Sequence, residues 1–315
     1  MRVLVLGAGG MGGFFGAGLI KGGADVTFLV RPGRAAQLQR DGLVVKSQDG
    51  DFRTPVKTAQ QGQVDTPFDV ILLSCKAYDL DAAMTAIAPA VGEQSAILPL
   101  LNGVRHIEVL NNRFGAGKVL GGLAMISATL LPDGSVRHNP VRLPVNSAVG
   151  ELDGSRSARS VAIQKVIAAG GIPFDAREDI AAAMWEKFFG FGCNAVVATL
   201  TRSRAGAIAR SEAGGSFVSA VLEEGSQIVT AEGYPPSADT PNVIRAMFSQ
   251  AASVYCPSML VDMEEERSTE GEHTIGDLAD RAAKRGIAAP LFTAARCNLQ
   301  AYEINRADRK QTRAA

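Results

Sequence analysis

The opening residues, Met1-Arg2-Val3-Leu4-Val5-Leu6-Gly7-Ala8-Gly9-Gly10-Met11-Gly12, decide the fold. Val3–Leu6 is a short aliphatic run, suited to a strand buried on both faces. The residues after it spell GxGxxG on Gly7, Gly9 and Gly12 and open a helical stretch. Each glycine has a task at such a strand–turn–helix junction. Gly7 permits the sharp turn, Gly9 lets a pyrophosphate approach the backbone, and Gly12 lets the helix pack on the sheet. The free N–H groups and positive end of the helix then hold the phosphates. Gly7, Ala8, Gly9, Gly10, Met11 and Gly12 are therefore the expected dinucleotide-binding loop.

Outward from this loop, short apolar runs alternate with helical stretches. Asp25–Val30, Val70–Ser74 and Ile97–Leu100 read as further strands of a buried parallel sheet. Gly122–Leu131 and Ser135–Asn139 flank Pro132-Asp133-Gly134, a hairpin signal. Ser147–Glu151 and Ile172–Asp175 read as strands around a helix at Ser157–Ala169. From Asp179, a plausible N-cap, the texture turns helical. Helices are expected to about Leu200 and over Ser211–Glu232, Ala238–Val254, Ser268–Arg285 and Phe292–Asn305. The basic tail after Asn305 reads as a frayed polar end. The expected fold class is α/β, a Rossmann-type doubly wound sheet over residues 1–177 followed by an all-helical C-terminal domain over 178–315.

Composition sets bounds on function. The chain has 315 residues, enough for about two domains at roughly 150 residues each. Lys plus Arg and Asp plus Glu are 32 each, and this balance argues against a dedicated nucleic-acid binder. No apolar stretch approaches the ~18 residues of a membrane span. The run Val3–Leu6 is too short for the core of a signal peptide. The four cysteines lack metal-site spacing and read as a reducing, cytoplasmic setting. The three scattered histidines form no HExxH pattern, so no metal is expected.

The cofactor can be narrowed further. Arg31 follows the second strand, 19 residues after Gly12, where an NAD site carries Asp or Glu for the ribose hydroxyls. A guanidinium there suits a 2′-phosphate, with Arg34 in support, and favours NADP(H). Lys76 and Asn102 follow the third and fourth strands, at the carboxyl ends where such sheets bind ligands.

Gly7–Gly12, Arg31, Leu73-Ser74-Cys75-Lys76-Ala77, Leu101-Asn102-Gly103, Trp185-Glu186-Lys187-Phe188, Ser258-Met259-Leu260 and Thr269-Glu270 occur in order along nearly the whole chain. Together they resemble the ketopantoate reductase (2-dehydropantoate 2-reductase) family. The resemblance implies a Rossmann domain plus a helical domain with the active site in the cleft between them. It implies NADPH-dependent reduction of ketopantoate to pantoate, in the route to pantothenate. Lys187 maps on the general acid and Glu270 on a residue that contacts the cofactor and supports the catalytic site. Ser258 maps on a substrate serine, and Lys76 and Asn102 on cofactor- and substrate-facing positions. Ala128, in the strand after Gly122, maps near the cofactor. The chemistry agrees: hydride addition leaves negative charge on a ketone oxygen, which a positioned ammonium stabilises and protonates.

This sequence also departs from the family. Four and eight residues after its helical lysine the family carries asparagines, whereas this chain has Phe191 and Ala195. Asn194, seven residues after Lys187, lies about 20° from it around a helix and about 10 Å further along, and is a substrate-binding candidate. The departure bears on substrate, a small-molecule 2-oxo acid, rather than on cofactor. Two alternatives stay open: a β-hydroxyacid dehydrogenase-like oxidoreductase, and a non-catalytic NADP-binding sensor. Phe188, Phe189 and Phe191 cannot all face one side of a helix, so some are core and others are free to meet the second subunit of a homodimer.

Overall fold

The computed structural model describes residues 1–139 and 145–314. The chain falls into two compact units, residues Met1–Leu101 with His106–Met184, and Asn102–Arg105 with Trp185–Ala315.

The first unit opens with β1 (Arg2–Leu6), α1 (Gly10–Lys21), β2 (Asp25–Leu29), α2 (Pro32–Asp41), β3 (Leu43–Ser47), β4 (Phe52–Thr54) and β5 (Lys57–Ala59). It continues through β6 (Val70–Leu73), α3 (Leu80–Ile87), β7 (Ala96–Pro99) and α4 (Arg105–Phe114). Then come β8 (Gly121–Leu123), β9 (Ser127–Leu130), β10 (Val136–Asn139), β11 (Ser147–Gly150), α5 (Ala158–Ala169) and β12 (Phe174–Ala176). The main sheet is parallel, in the order β5-β2-β1-β6-β7. Alternation along its strands explains the near-continuous apolar runs. Val3 and Val5 enter one core with Phe15, Leu38 and Phe174, while Leu4 enters the other with Leu80, Ile87 and Leu110. Both faces are thus covered, the arrangement in which parallel sheets persist. Strand order reverses at β1, so the turn after β1 stands at the switch point of the sheet.

Two smaller sheets flank this core, β4-β3-β10-β9 and β12-β11-β8. Gly122–Leu131 is not one strand. It divides into β8 and β9, which join different sheets. The expected hairpin forms between β9 and β10. Gly134 at φ +83° donates its amide to Leu131 O at 2.9 Å, and Asp133 accepts from the Ser135 amide and hydroxyl. Ser157 caps α5, accepting from the Ser160 amide.

The second unit is helical. It comprises most of α6 (Ile180–Thr201), then α7 (Ala205–Arg210), α8 (Gly214–Ala231), α9 (Asp239–Met247), α10 (Ser258–Glu264), α11 (Asp277–Lys284) and α12 (Pro290–Ala314). Phe188 and Phe189 are core and Phe191 is half-buried. Gly225 on α8 packs against Cys193, Phe189 and Phe292, which holds α6, α8 and α12 together. Three expectations are corrected here. Ser211–Glu232 begins with a break at Ser211–Ala213, α9 stops at Met247, and Ser268–Arg285 opens irregularly before a π-helical turn at Glu272–Gly276. The tail after Asn305 is also no frayed end. It continues α12, with Arg306 paired to Glu303 and Arg309 and Arg313 to Glu266. Among the described residues, no helix is long and apolar enough to cross a membrane.

A Cβ at Gly12 would overlap the Gly7 carbonyl oxygen and the Ser74 hydroxyl, whereas a Cβ at Gly9 meets open space. Gly12→Ala is therefore expected to lower unfolding free energy by about 1–3 kcal/mol. Gly9→Ala should cost under about 1 kcal/mol. Urea unfolding with a shared m-value distinguishes the two.

Candidate active site

The candidate nucleotide-binding loop lies in the first unit. Gly7 takes φ +86°, its amide donating to Leu29 O at 2.9 Å, so the chain leaves β1 while still tied to β2. α1 starts at Gly10 without a side-chain cap and without an acidic residue in its first turn. Its leading N–H groups are thus offered to an anion instead of being satisfied locally. The open space over Gly9 and the packed environment of Gly12 form a cradle that fits a dinucleotide phosphate. Ser74 supports the loop from below, its hydroxyl donating to Leu6 O at 2.9 Å. Gly10 abuts the Ala128 backbone so closely that any Cβ would overlap it. Ala128 thus lies directly against the loop, as a backing strand.

Arg31 precedes α2 with its side chain 85 % exposed and a nitrogen 3.3 Å from Asp79. Its head is free to turn toward an incoming anion, and Asp79 competes for it. Arg34 serves differently. Its Nε donates to Ala8 O at 3.0 Å, and its Nη1 donates to Gly134 O at 2.8 Å and to Gln37 at 2.6 Å. It braces the glycine loop against the β9–β10 hairpin. Lys76 is exposed and precedes the short 3-10 turn Ala77–Asp79 after β6.

The candidate catalytic residues Lys187 and Glu270 lie in the second unit. Lys187 is the third residue of the part of α6 belonging to that unit, directly after two anchored residues. Trp185 stacks on Tyr234 with centroids 5.1 Å apart and carries the Arg281 guanidinium 5.0 Å from its ring. Arg281 is itself held by Glu232 at 2.7 Å and Asp277 at 3.1 Å. Glu186 accepts from the Ser237 amide and hydroxyl, the latter at 2.7 Å. The helix is thereby fixed at the two residues that precede Lys187. Burial pulls the Lys187 pKa down from 10.5 to about 8, and the Glu270 carboxylate opposes that shift. Lys187 is half-buried, and Glu270 is 8 % exposed. Its carbonyl accepts from the Thr274 hydroxyl at 2.8 Å, where the π-helical turn begins. Such turns recur at functional sites.

Asn102 belongs to this second unit, although sequence order placed it among the strand ends. Gly103 beside it takes φ +80°, and a Cβ there would meet the His273 carbonyl at 3.2 Å and the Phe188 ring at 3.5 Å. This close approach fixes the Asn102 backbone among the residues of the lysine site. Asn194 is half-buried, and its Oδ1 is enclosed without a hydrogen-bond partner among the described residues. Ser258 is exposed in the first turn of α10. Among the described residues, no group of three or more His, Cys, Asp or Glu side chains is placed to hold a metal. Asp79 has no signal in the sequence, while Arg34 is expected at the 2′-phosphate and Ser74 only as part of the Leu73–Ala77 run; the contacts they make are seen only in the structure. Each acts through a contact distant along the chain.

The family model described as Ketopantoate reductase PanE/ApbA matches residues 3–153, and its C-terminal companion matches residues 179–303. The chain belongs to the ketopantoate reductase family. It is an oxidoreductase by that membership. The oxidoreductase YkpB of Bacillus subtilis is 33 % identical over 308 residues, covering 97 % of this chain and 100 % of that protein. The 2-dehydropantoate 2-reductase of Halobacterium salinarum is 29 % identical, covering 93 % of this chain and 95 % of its own. The crystal structure of 2-dehydropantoate 2-reductase from Geobacter metallireducens superposes with a TM-score of 0.85 at 26 % identity, over 95 % of this chain and 99 % of that one. D-mandelate dehydrogenase with NADH and anilino(oxo)acetate shares the fold, with a TM-score of 0.83 at 20 % identity over 98 % of this chain and 100 % of that one.

Since Glu270 raises the proton affinity of Lys187, Glu270→Gln should drop the Lys187 pKa by about a unit or more. NMR titration of 13C-labelled lysine, with Lys187→Ala for assignment, reads this directly. An unmoved titration would mean that the carboxylate does not act on the ammonium.

Proposed function

We propose that the protein is an NADPH-dependent reductase of 2-oxo acids, in the manner of 2-dehydropantoate 2-reductase. The observation that carries this reading is the desolvated Lys187 facing the buried Glu270, with a pKa near working pH. Gly7, Ala8, Gly9, Gly10, Met11 and Gly12 would hold the pyrophosphate, Arg31 the 2′-phosphate, and Lys76 a neighbouring anionic group. The reduced nicotinamide, when bound, supplies a hydride. The chain's own part is acid catalysis. Lys187 hydrogen-bonds the ketone oxygen, stabilises the charge that develops there and gives up its proton from Nζ. Glu270 keeps enough positive charge on Nζ for that donation despite its burial. Asn102 orients the substrate.

The substrate pocket favours a 2-oxo acid with a more apolar side chain than ketopantoate. Phe191 and Ala195 stand where the family resemblance places asparagines, so two amide contacts to a substrate hydroxyl are gone. A site built to bond a hydroxyl discriminates strongly for it, and its removal relaxes that demand. The enclosed, unpartnered Asn194 oxygen provides a remaining acceptor for a substrate donor, and the exposed Ser258 hydroxyl a second polar contact.

Three outcomes are expected. Following NADPH absorbance over a panel of 2-oxo acids should find turnover whose kcat is level below pH 8 and falls about tenfold per unit above it, as Lys187 loses its proton. Lys187→Ala should lower kcat by about 10²- to 10⁴-fold. No turnover with any 2-oxo acid would defeat the reading. Arg31→Ala should raise KM for NADPH about tenfold or more and leave KM for NADH nearly unchanged, because only NADPH carries the extra phosphate. Equal effects on both cofactors would remove Arg31 from 2′-phosphate recognition.

A further inference from the structure

The segment that carries Glu270 is irregular backbone between α10 and the π-helical turn, and one face of α12 templates it. Four side chains at helical spacing make the contacts. Leu299 underlies Gly271, where a Cβ would lie 2.8 Å from its methyl group. The Tyr302 hydroxyl donates to Arg267 O at 2.7 Å and to Asp262 O at 3.3 Å. Glu303 Oε1 accepts from the Thr269 amide at 2.6 Å and from the Thr269 hydroxyl at 2.9 Å. Its other oxygen accepts from Arg306, which also reaches the Ser268 hydroxyl at 2.5 Å. Residues 299, 302, 303 and 306 share one helix face because 3.6 residues make a turn.

Glu303 is the centre of this face. It is the acceptor for the last backbone amide before Glu270, and its charge makes that bond a strong one. Thr269 is buried, so without Glu303 its amide loses a partner in a place where water does not readily replace it. The residue would relax by moving the backbone, and Glu270 would move with it.

We propose that Glu303 is a positioning residue of the active site: by clamping the Thr269 amide and hydroxyl it holds the Glu270 carboxylate against the Lys187 ammonium. This rests on the reading of Lys187 as proton donor only where turnover is concerned. The placement of Glu270 stands apart from it. Other ionisable groups on the neighbouring elements have their own engagements. Glu186 is bonded to Ser237, and Asp262 to Arg267. Glu272 is bonded to Arg296, and Asp277 and Glu232 to Arg281. His273, in the π-helical turn, lays its carbonyl over Gly103. Glu270 supplies the carboxylate field that Lys187 feels.

The test compares Glu303→Ala with Glu303→Gln in the full chain. Glutamine keeps an oxygen for the Thr269 amide, and alanine does not. NMR titration of Lys187 needs no turnover. Glu303→Ala should shift the Lys187 titration downward by about half a unit to a unit and move the falling limb of the kcat profile with it. Glu303→Gln should restore most of both. KM for NADPH should change less than kcat. If Glu303→Ala does not fold, Thr269→Val removes one of the two clamping bonds and should give a smaller shift in the same direction. A folded Glu303→Ala, or Thr269→Val in its place, that titrates like the parent overturns the proposal. If the parent kcat profile does not follow its own Lys187 titration, the proton-donor reading fails, while the NMR comparison still decides the role of Glu303.

Discussion

A lysine ammonium set where burial disfavours its charge, with the Glu270 carboxylate opposing that effect, is the constraint on which the proposed chemistry of the second unit depends. Two opposing effects act on Lys187, and their balance is legible in its pKa. Burial disfavours the charged form, the Glu270 carboxylate favours it, and a value near 8 against the ordinary 10.5 means that burial prevails. Keeping the group charged at neutral pH therefore costs the fold on the order of 3 kcal/mol. The sign follows from linkage. The deficit is present in full below pH 8, where both folded and unfolded chains are protonated, and disappears as pH rises from 8 to 10.5. The anchoring of Trp185 and Glu186 explains how a helix tolerates this. The two preceding residues are tied by stacking, a cation–π contact and hydrogen bonds, which opposes a local shift of the helix that would relieve the desolvation of the lysine.

The candidate nucleotide-binding loop follows a different rule, in which absence of side chains is the working feature. Gly9 leaves room, Gly12 permits contact, and Gly7 supplies a backbone angle closed to most residues. These freedoms would make a loose loop if nothing else held it. Ser74 and Arg34 hold it with hydrogen bonds to the carbonyls of Leu6 and Ala8. An anion-binding turn is thus left with its N–H groups outward and its carbonyls already engaged. Arg31, by contrast, is retained by one exposed ion pair of a kind that contributes little, and so is available for exchange.

What was legible in the sequence was whatever is local. The strand before Gly7 and the glycine spacing need only neighbours in the chain, and they appear where expected. Asn194 was singled out through helical period alone. The strands β3, β4 and β5 were not foreseen. They are 3 to 5 residues long and partly polar, and they exist because a partner strand satisfies them. Likewise, Gly122–Leu131 reads as one strand because its residue types suit a strand throughout. The break comes from its two ends pairing in different sheets. The irregular stretch before α11 was hidden because a wider turn has no distinct residue pattern. The Glu303–Thr269 contact spans 34 residues and has no periodic signature. Arg31 was legible from its place after the second strand, but its contact with Asp79 across 48 residues is invisible to any local reading.

The seam between Gly10 and Ala128 has an implication for protein engineering. The hairpin strand is pressed onto the phosphate loop so tightly that not even a methyl group fits between them. Hairpin and loop are therefore a matched set. A domain transplant that brought in a donor loop with alanine or serine at that place would force the hairpin outward. A shortened hairpin would likewise strip the loop of its backing. Recombination between homologues would succeed where the crossover keeps both pieces from the same parent.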